Sequence, residues 1–118
     1  MLNQVLRTKE EVMNVAVELK QDLMSVLYGS YIVELEERDE EVNLILSDKN
    51  SGWTAISQGA MTSAMEVIRF YDKVYGRSFS WYVNAKVILD GDRVKAYPIV
   101  EMTVKTVKEE EKESVNAV

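Results

Sequence analysis

Apolar residues recur at helical spacing over the first quarter of the chain, and a capping-box pattern precedes them. Thr8 is followed three positions later by Glu11, the arrangement in which each side chain can cap the other's backbone amide. Gly29 stands where a left-handed C-terminal cap is needed. The pattern predicts a first helix between these signals. Its apolar positions are Val12, Val15, Ala16, Leu19, Leu23, Val26 and Leu27.

Strict alternation of apolar and polar residues comes next and predicts a β-hairpin. An acidic stretch between the two alternating segments supplies the turn. The apolar face would consist of Tyr31, Val33 and Leu35 on the first strand and of Val42, Leu44 and Leu46 on the second.

A second helix is predicted after a loop of turn-forming residues. Ser51 or Thr54 can cap its N-terminus, and the apolar pattern runs to about Val74 before it stops at Gly76. Alternation then resumes from Phe79 and continues past residue 100, which predicts a second and longer hairpin.

The one proline of the chain selects the register of this second hairpin. With Gly91 and Asp92 at the centre of the turn, Pro98 faces Ala85 in a pair that exchanges no hydrogen bonds. With Asp90 and Gly91 at the centre, the proline falls in a hydrogen-bonded pair and a ladder bond is lost. We therefore prefer the first register, and we expect the last strand to be a sheet edge or to carry a bulge at Pro98.

The order of elements is α-β-β-α-β-β, a helix followed by a hairpin, twice. It predicts an α+β fold in which a four-stranded, mainly antiparallel sheet carries both helices on one face. Residues 1–107 would form one domain, and residues 108–118 a charged, flexible tail. The repeated unit is compatible with duplication, but chance recurrence of so simple a unit explains it equally well.

Composition restricts the chemistry that the chain can perform. Its 118 residues include no histidine and no cysteine, which excludes thiol nucleophiles, Ser-His pairs and zinc fingers. Glycine-rich phosphate loops and ligand-spaced calcium loops are also missing from the sequence. We therefore expect a protein that is not an enzyme and that has neither a cofactor nor a metal site.

Charge is concentrated in the first half. Residues 1–50 carry 11 acidic and 5 basic side chains, and the acids are densest at the first hairpin tip. Glu36 and Glu41 are expected to be cross-strand neighbours of like sign. The tip can be a solvated turn that blocks edge aggregation, or it can bind a basic surface of a protein partner. The candidate protein-binding residues are Glu36, Glu37, Asp39 and Glu40.

The second hairpin brings aromatic and basic residues to its outer face, in a region that is more basic than the rest of the chain. Such a face can stack a base on a tyrosine while a lysine contacts phosphate. A solvated sheet face whose tyrosines favour strands is the simpler explanation. The candidate ligand-binding residues are Tyr82, Lys86, Arg93, Lys95 and Tyr97.

Both predicted helices are apolar over more than one stripe, whereas a helix with one solvated side needs only one. Contact between the helices would bury part of this excess, and a homo-oligomer would bury the rest. The candidate interface residues are Met61, Ala64, Met65 and Ile68.

The sequence thus favours a small acidic protein that captures a protein partner stoichiometrically, as an inhibitor, immunity or regulatory protein does. The alternative is an oligomeric protein that binds or sequesters an anionic nucleotide-like ligand or single-stranded nucleic acid. No apolar segment reaches the length of a signal peptide or a membrane span, so we expect a cytoplasmic protein without a membrane partner.

Overall fold

The computed structural model describes residues 4–27, 31–48 and 58–108. Two helices, one short 3-10 turn and four strands follow one another in the predicted order. They are α1 (Lys9–Val26), β1 (Tyr31–Glu37), β2 (Glu41–Asp48), α2 (Gln58–Tyr75), the 3-10 turn Gly76–Ser78, β3 (Phe79–Asp90) and β4 (Arg93–Lys105). The predicted caps at Gly29, Ser51 and Thr54 and most of the predicted tail lie outside the described residues.

The four strands form one antiparallel sheet in the order β1-β2-β4-β3. The two hairpins therefore meet through β2 and β4, and each helix packs beside the hairpin that follows it. Both helices cover the same face of the sheet, because the buried apolar residues of the described strands alternate onto that face. The predicted α+β architecture is confirmed.

The capping box at the start of α1 forms as predicted. Thr8 Oγ1 accepts a hydrogen bond from the Glu11 backbone amide at 3.1 Å, and Glu11 Oε1 accepts one from the Thr8 amide at 3.0 Å. The same carboxylate accepts the Arg7 amide at 2.8 Å. These backbone donors, Arg7 first, lower the pKa of Glu11 because they stabilise its charged form.

Replacing Thr8 with alanine should remove one half of this box and lower the free energy of unfolding by about 1 kcal/mol. Urea unfolding followed by circular dichroism measures the change. Asn14→Ala is the control, since Asn14 is exposed on the same helix and alanine favours helix. An equal loss of unfolding free energy in both variants would mean that the Thr8 cap does not stabilise the helix.

The core lies between the helices and the covered face of the sheet. Ser78 is its most buried polar residue, and its Oγ accepts a hydrogen bond from the Leu6 amide at 2.7 Å. The Leu6 carbonyl oxygen in turn accepts a hydrogen bond from the Val107 amide at 2.9 Å. The segment before α1 therefore joins the turn after α2 to the end of β4. Residues with no exposed surface are Ala16, Leu19, Leu23, Val33, Leu44, Leu46, Ala64, Ile68, Val100, Met102 and Val104.

The surplus apolar surface of α2 is largely used inside the monomer. Ala64 and Ile68 are completely buried, and Tyr71 is 1% exposed. Met61 and Met65 are half-buried and pack against the core. Ala64 and Ile68 are thus enclosed in the core of the monomer, and of the four candidate interface residues only Met61 and Met65 keep exposed surface. The helix ends at Gly76, as predicted, where φ is 43°.

The second hairpin has the register that Pro98 predicts. Ala85 pairs with Pro98 and Asp90 with Arg93, which leaves Gly91 and Asp92 in the turn, with φ of Gly91 at 65°. β2 pairs with β4 only from Glu101 to Lys105. β4 is thus an inner strand and not a sheet edge, and only its part around Pro98, which has no amide hydrogen to donate, lacks pairing with β2. Residues 83–99 extend past the part of β4 that pairs with β2 and form a two-stranded ribbon, which we call the arm.

Candidate functional site

The acidic tip of the first hairpin is organised by Arg38. Its guanidinium donates to the Glu36 carboxylate and lies 3.6 Å from that of Glu41. The hydrogen bond and the charge of Glu36 raise the pKa of Arg38. Glu36 pairs with Asn43 in the sheet, and the backbone amide of Arg38 donates to the Glu41 carbonyl. The predicted Glu36–Glu41 pairing was therefore wrong, because the turn is tighter than assumed and Arg38 lies opposite Glu41.

Glu40 is held by the residues that follow β4. Its carboxylate accepts a hydrogen bond from Thr106 Oγ1 at 3.0 Å and pairs with Lys108 Nζ at 3.2 Å. The hydrogen bond from Lys108, then that from Thr106, lowers the pKa of Glu40. Glu36 and Glu40 thus have partners within the chain, whereas Glu37 and Asp39 extend the acidic surface as exposed residues. In the described part of the chain, no three acidic side chains come close enough together to hold a metal ion.

The outer face of the second hairpin carries a polar network at its base. Asn43 is 6% exposed; its Nδ2 donates to Glu101 at 3.2 Å, and its Oδ1 accepts from Thr103 Oγ1 at 2.9 Å. Tyr82, half exposed, hydrogen-bonds to the same Glu101 carboxylate, which raises the pKa of the phenol. A negative charge therefore lies beside the tyrosine that was predicted to stack a base.

The predicted ligand residues are distributed along the ribbon. The register places Lys86 opposite Tyr97 and Lys95 opposite Ile88, as predicted, while Tyr82 is at one end and Arg93 at the other. Eight strand positions separate the pair that contains Tyr82 from the pair that contains Arg93, which is about 26 Å. The five residues therefore follow a strip and do not converge on one pocket. The structure does not describe the side chains of Lys86, Lys95 and Tyr97.

The opposite face of the arm is apolar and exposed. It continues the covered face of the sheet, but neither helix encloses it. Val83 is 47% exposed, Val87 62%, Leu89 77% and Val94 66%. None of these four described side chains is charged. Together they present on the order of 300 Å² of apolar surface, a size at which the exposed patch of a small protein often serves in binding.

A groove of about 320 Å³ lies between the two helices. Its apolar surface comes from Val26 on α1 and from Val67, Phe70 and Tyr71 on α2, with Ser25 beside them. Phe70 is 61% exposed and packs edge-on against Tyr71, with ring centroids 5.8 Å apart.

Carboxylates border this groove on both sides. Asp22 of α1 and Glu66 of α2 line it, and among the residues that the structure describes neither a lysine nor an arginine does. Tyr71 donates its hydroxyl hydrogen to Asp22 Oδ2 at 2.5 Å, with Glu18 Oε1 at 3.3 Å from the same oxygen. Burial raises the pKa of Tyr71, and the two acids raise it further, so this hydroxyl stays protonated and fixes the Asp22 side chain.

Sequence reasoning missed both apolar surfaces. The alternating pattern of the second hairpin did not separate covered from exposed apolar positions, and Phe70 was not selected at all. A signal for Phe70 was present, because it is a large aromatic residue flanked by Arg69 and one turn from Glu66 and Lys73. The acids of the groove come from two helices that are distant in sequence.

Comparison with protein-family models, with curated proteins and with solved structures found no match to this chain. Among the described helices, neither has the combination of length and apolar character that crossing a membrane requires.

Proposed function

We propose that this chain is a non-enzymatic protein-binding module that acts by forming a stoichiometric complex. The observation that carries the proposal is the exposed apolar face of the arm, formed by Val83, Val87, Leu89 and Val94. The absence of histidine and cysteine from the sequence supports a role without catalysis.

The arm needs a partner for a physical reason. A two-stranded ribbon in water is marginally stable by itself, because it lacks a second layer against which its apolar side chains can pack. Here the ribbon extends beyond the helices with its apolar side uncovered. A protein surface that supplies the second layer would stabilise the arm and bury the patch.

A second copy of the chain is the partner that we propose for the arm. The described side chains of this face carry no charge, so two such faces are complementary to each other and can stack about a twofold axis. Stacking would bury on the order of 600 Å² of apolar surface, which is below the roughly 1,000 Å² of a stable specific interface and corresponds to a weak, transient dimer. The predicted homo-oligomer is thus proposed to use the arm and not α2.

The acidic tip remains a proposed second contact, to a basic surface of a further protein. Glu36, Glu37 and Asp39 are its exposed acids, and Glu36 and Glu40 also have partners within the chain. The alternative ligand, a nucleotide or single strand on the outer face of the second hairpin, has less support. The Glu101 carboxylate beside Tyr82 would repel phosphate there.

Native mass spectrometry of the protein purified from its source cells tests the proposal. We expect species of twice the 13.5 kDa chain mass, alone or with a further protein bound in fixed ratio. The dimer fraction should rise with concentration over the micromolar range. A monomer without any bound chain at every concentration would refute the proposed function.

A further inference from the structure

We propose that the groove between α1 and α2 binds a cationic amphipathic helix of a partner protein, an inference that rests on the proposed protein-binding function and adds the class of partner. Three features of the groove support it: its apolar floor, its bordering acids and its shape along two neighbouring helices. None of the residues on which the dimer proposal depends belongs to this groove.

The floor matches the apolar stripe of a helix. Val26, Val67 and Phe70 are half-buried or exposed apolar residues along the seam between the helices. A volume of about 320 Å³ accommodates a few large side chains, as when an amphipathic helix inserts residues spaced by three and four positions into a groove. Phe70 exposes most of its ring and is the natural anchor contact.

The carboxylates around the groove floor indicate that the partner carries positive charge. Asp22 lies on one wall and Glu66 on the other, and Glu18 adds a third carboxylate near the Tyr71 hydroxyl. A helix with lysine or arginine on both sides of its apolar stripe would pair with both walls. The Tyr71 hydrogen bond holds Asp22 in place before the partner arrives, which reduces the entropy lost on binding.

The same charges disfavour segments of this chain as the occupant. The last ten residues include four glutamates and one lysine, so they carry the sign of the groove walls. The α1 helix of a second copy has more acidic than basic residues, so the groove would repel it in the same way. A different, basic chain is therefore the partner that the groove fits.

A synthetic peptide of about 18 residues, roughly five helical turns, tests this inference. It carries leucine at every third or fourth position and lysine on both flanks, and its binding is followed by fluorescence anisotropy at low and high salt. We expect a micromolar dissociation constant that weakens with salt. Two further peptides, one with scrambled leucine positions and one with glutamate in place of lysine, should bind at least about tenfold more weakly.

Variants of the protein locate the contact. Phe70→Ala should weaken binding about tenfold or more, and Glu66→Gln several-fold, without loss of fold because both residues are exposed. Glu10→Gln is the matched control, since it removes the same charge from an exposed residue in the first turn of α1, and it should change binding less than about twofold. Circular dichroism verifies that each variant is folded.

Equal binding of the scrambled peptide would overturn the inference, and so would equal effects of Glu66→Gln and Glu10→Gln, which would indicate attraction by net charge alone. No binding of the patterned peptide would also overturn it. If the peptide fails while the protein still dimerises, only the groove assignment is lost. If the peptide binds but the purified protein is a monomer without a partner, the arm proposal fails and the groove stands.

Discussion

Replacing Leu89 with aspartate should abolish the proposed dimer and leave a monomer at every concentration. Leu89 is 77% exposed near the end of the arm, so the monomer loses little packing when it is changed. In the dimer the new carboxylate would be enclosed between two apolar faces without a partner. Burying an unpaired charge is costly enough to weaken association at least about a hundredfold. Sedimentation velocity over a range of concentrations measures the shift.

The control for this experiment is Val17→Asp. Val17 is an apolar residue of α1 that is 37% exposed, and the substitution introduces the same charge away from the arm. It should leave the monomer–dimer equilibrium within about threefold of the wild type. Persistence of the dimer in Leu89→Asp would rule out the arm as the interface. Equal dissociation by Val17→Asp would attribute the effect to net charge.

The parts of the fold that could be predicted are those that local chemistry determines. Thr8 and Glu11 specify the start of α1 because their mutual hydrogen bonds need only the first helical turn. Gly91 and Pro98 specify the register of the second hairpin, since one tolerates a positive φ and the other cannot donate to a ladder. Both constraints act between residues that are close in the chain.

What could not be predicted is which part of the apolar face of the sheet the helices cover. Alternation places Val87 and Leu89 on the same face as Trp81 and Phe79, but it contains no information about where a helix lies over the sheet. Phe79 is 4% exposed and Leu89 is 77% exposed, although the pattern of the strand is unbroken between them. The difference arises because α2 packs against one part of β3 only, which is a matter of tertiary structure.

The residues of the candidate groove could not be predicted either, and the reason is again tertiary packing. Asp22 and Glu66 are ordinary exposed acids in their own helices, and their meaning depends on how α1 and α2 pack side by side. The acidic tip was identifiable from sequence, but the engagement of Glu40 by Thr106 and Lys108 was not, because these residues are more than sixty positions away.

Truncating Leu44 to alanine should cause the largest loss of stability among single substitutions in the sheet. Leu44 lies in central strand β2, opposite Leu35 on one side and Met102 on the other, and it has no exposed surface. Its removal leaves a cavity that β2 cannot close, because the strand is hydrogen-bonded on both sides. Such truncations cost about 3 kcal/mol or more. Urea unfolding measures the change.

Ile45→Ala is the matched control for that measurement. Ile45 is the next residue of the same strand, so it faces the uncovered side of the sheet and is only half-buried. The Ile45→Ala substitution should lower the free energy of unfolding by about 1 kcal/mol. Both substitutions are best made in the Leu89→Asp protein, because dimerisation would add a concentration-dependent term to the stability of each. Since the two residues face opposite sides of the sheet, equal losses at the two positions would contradict the assignment of the covered face.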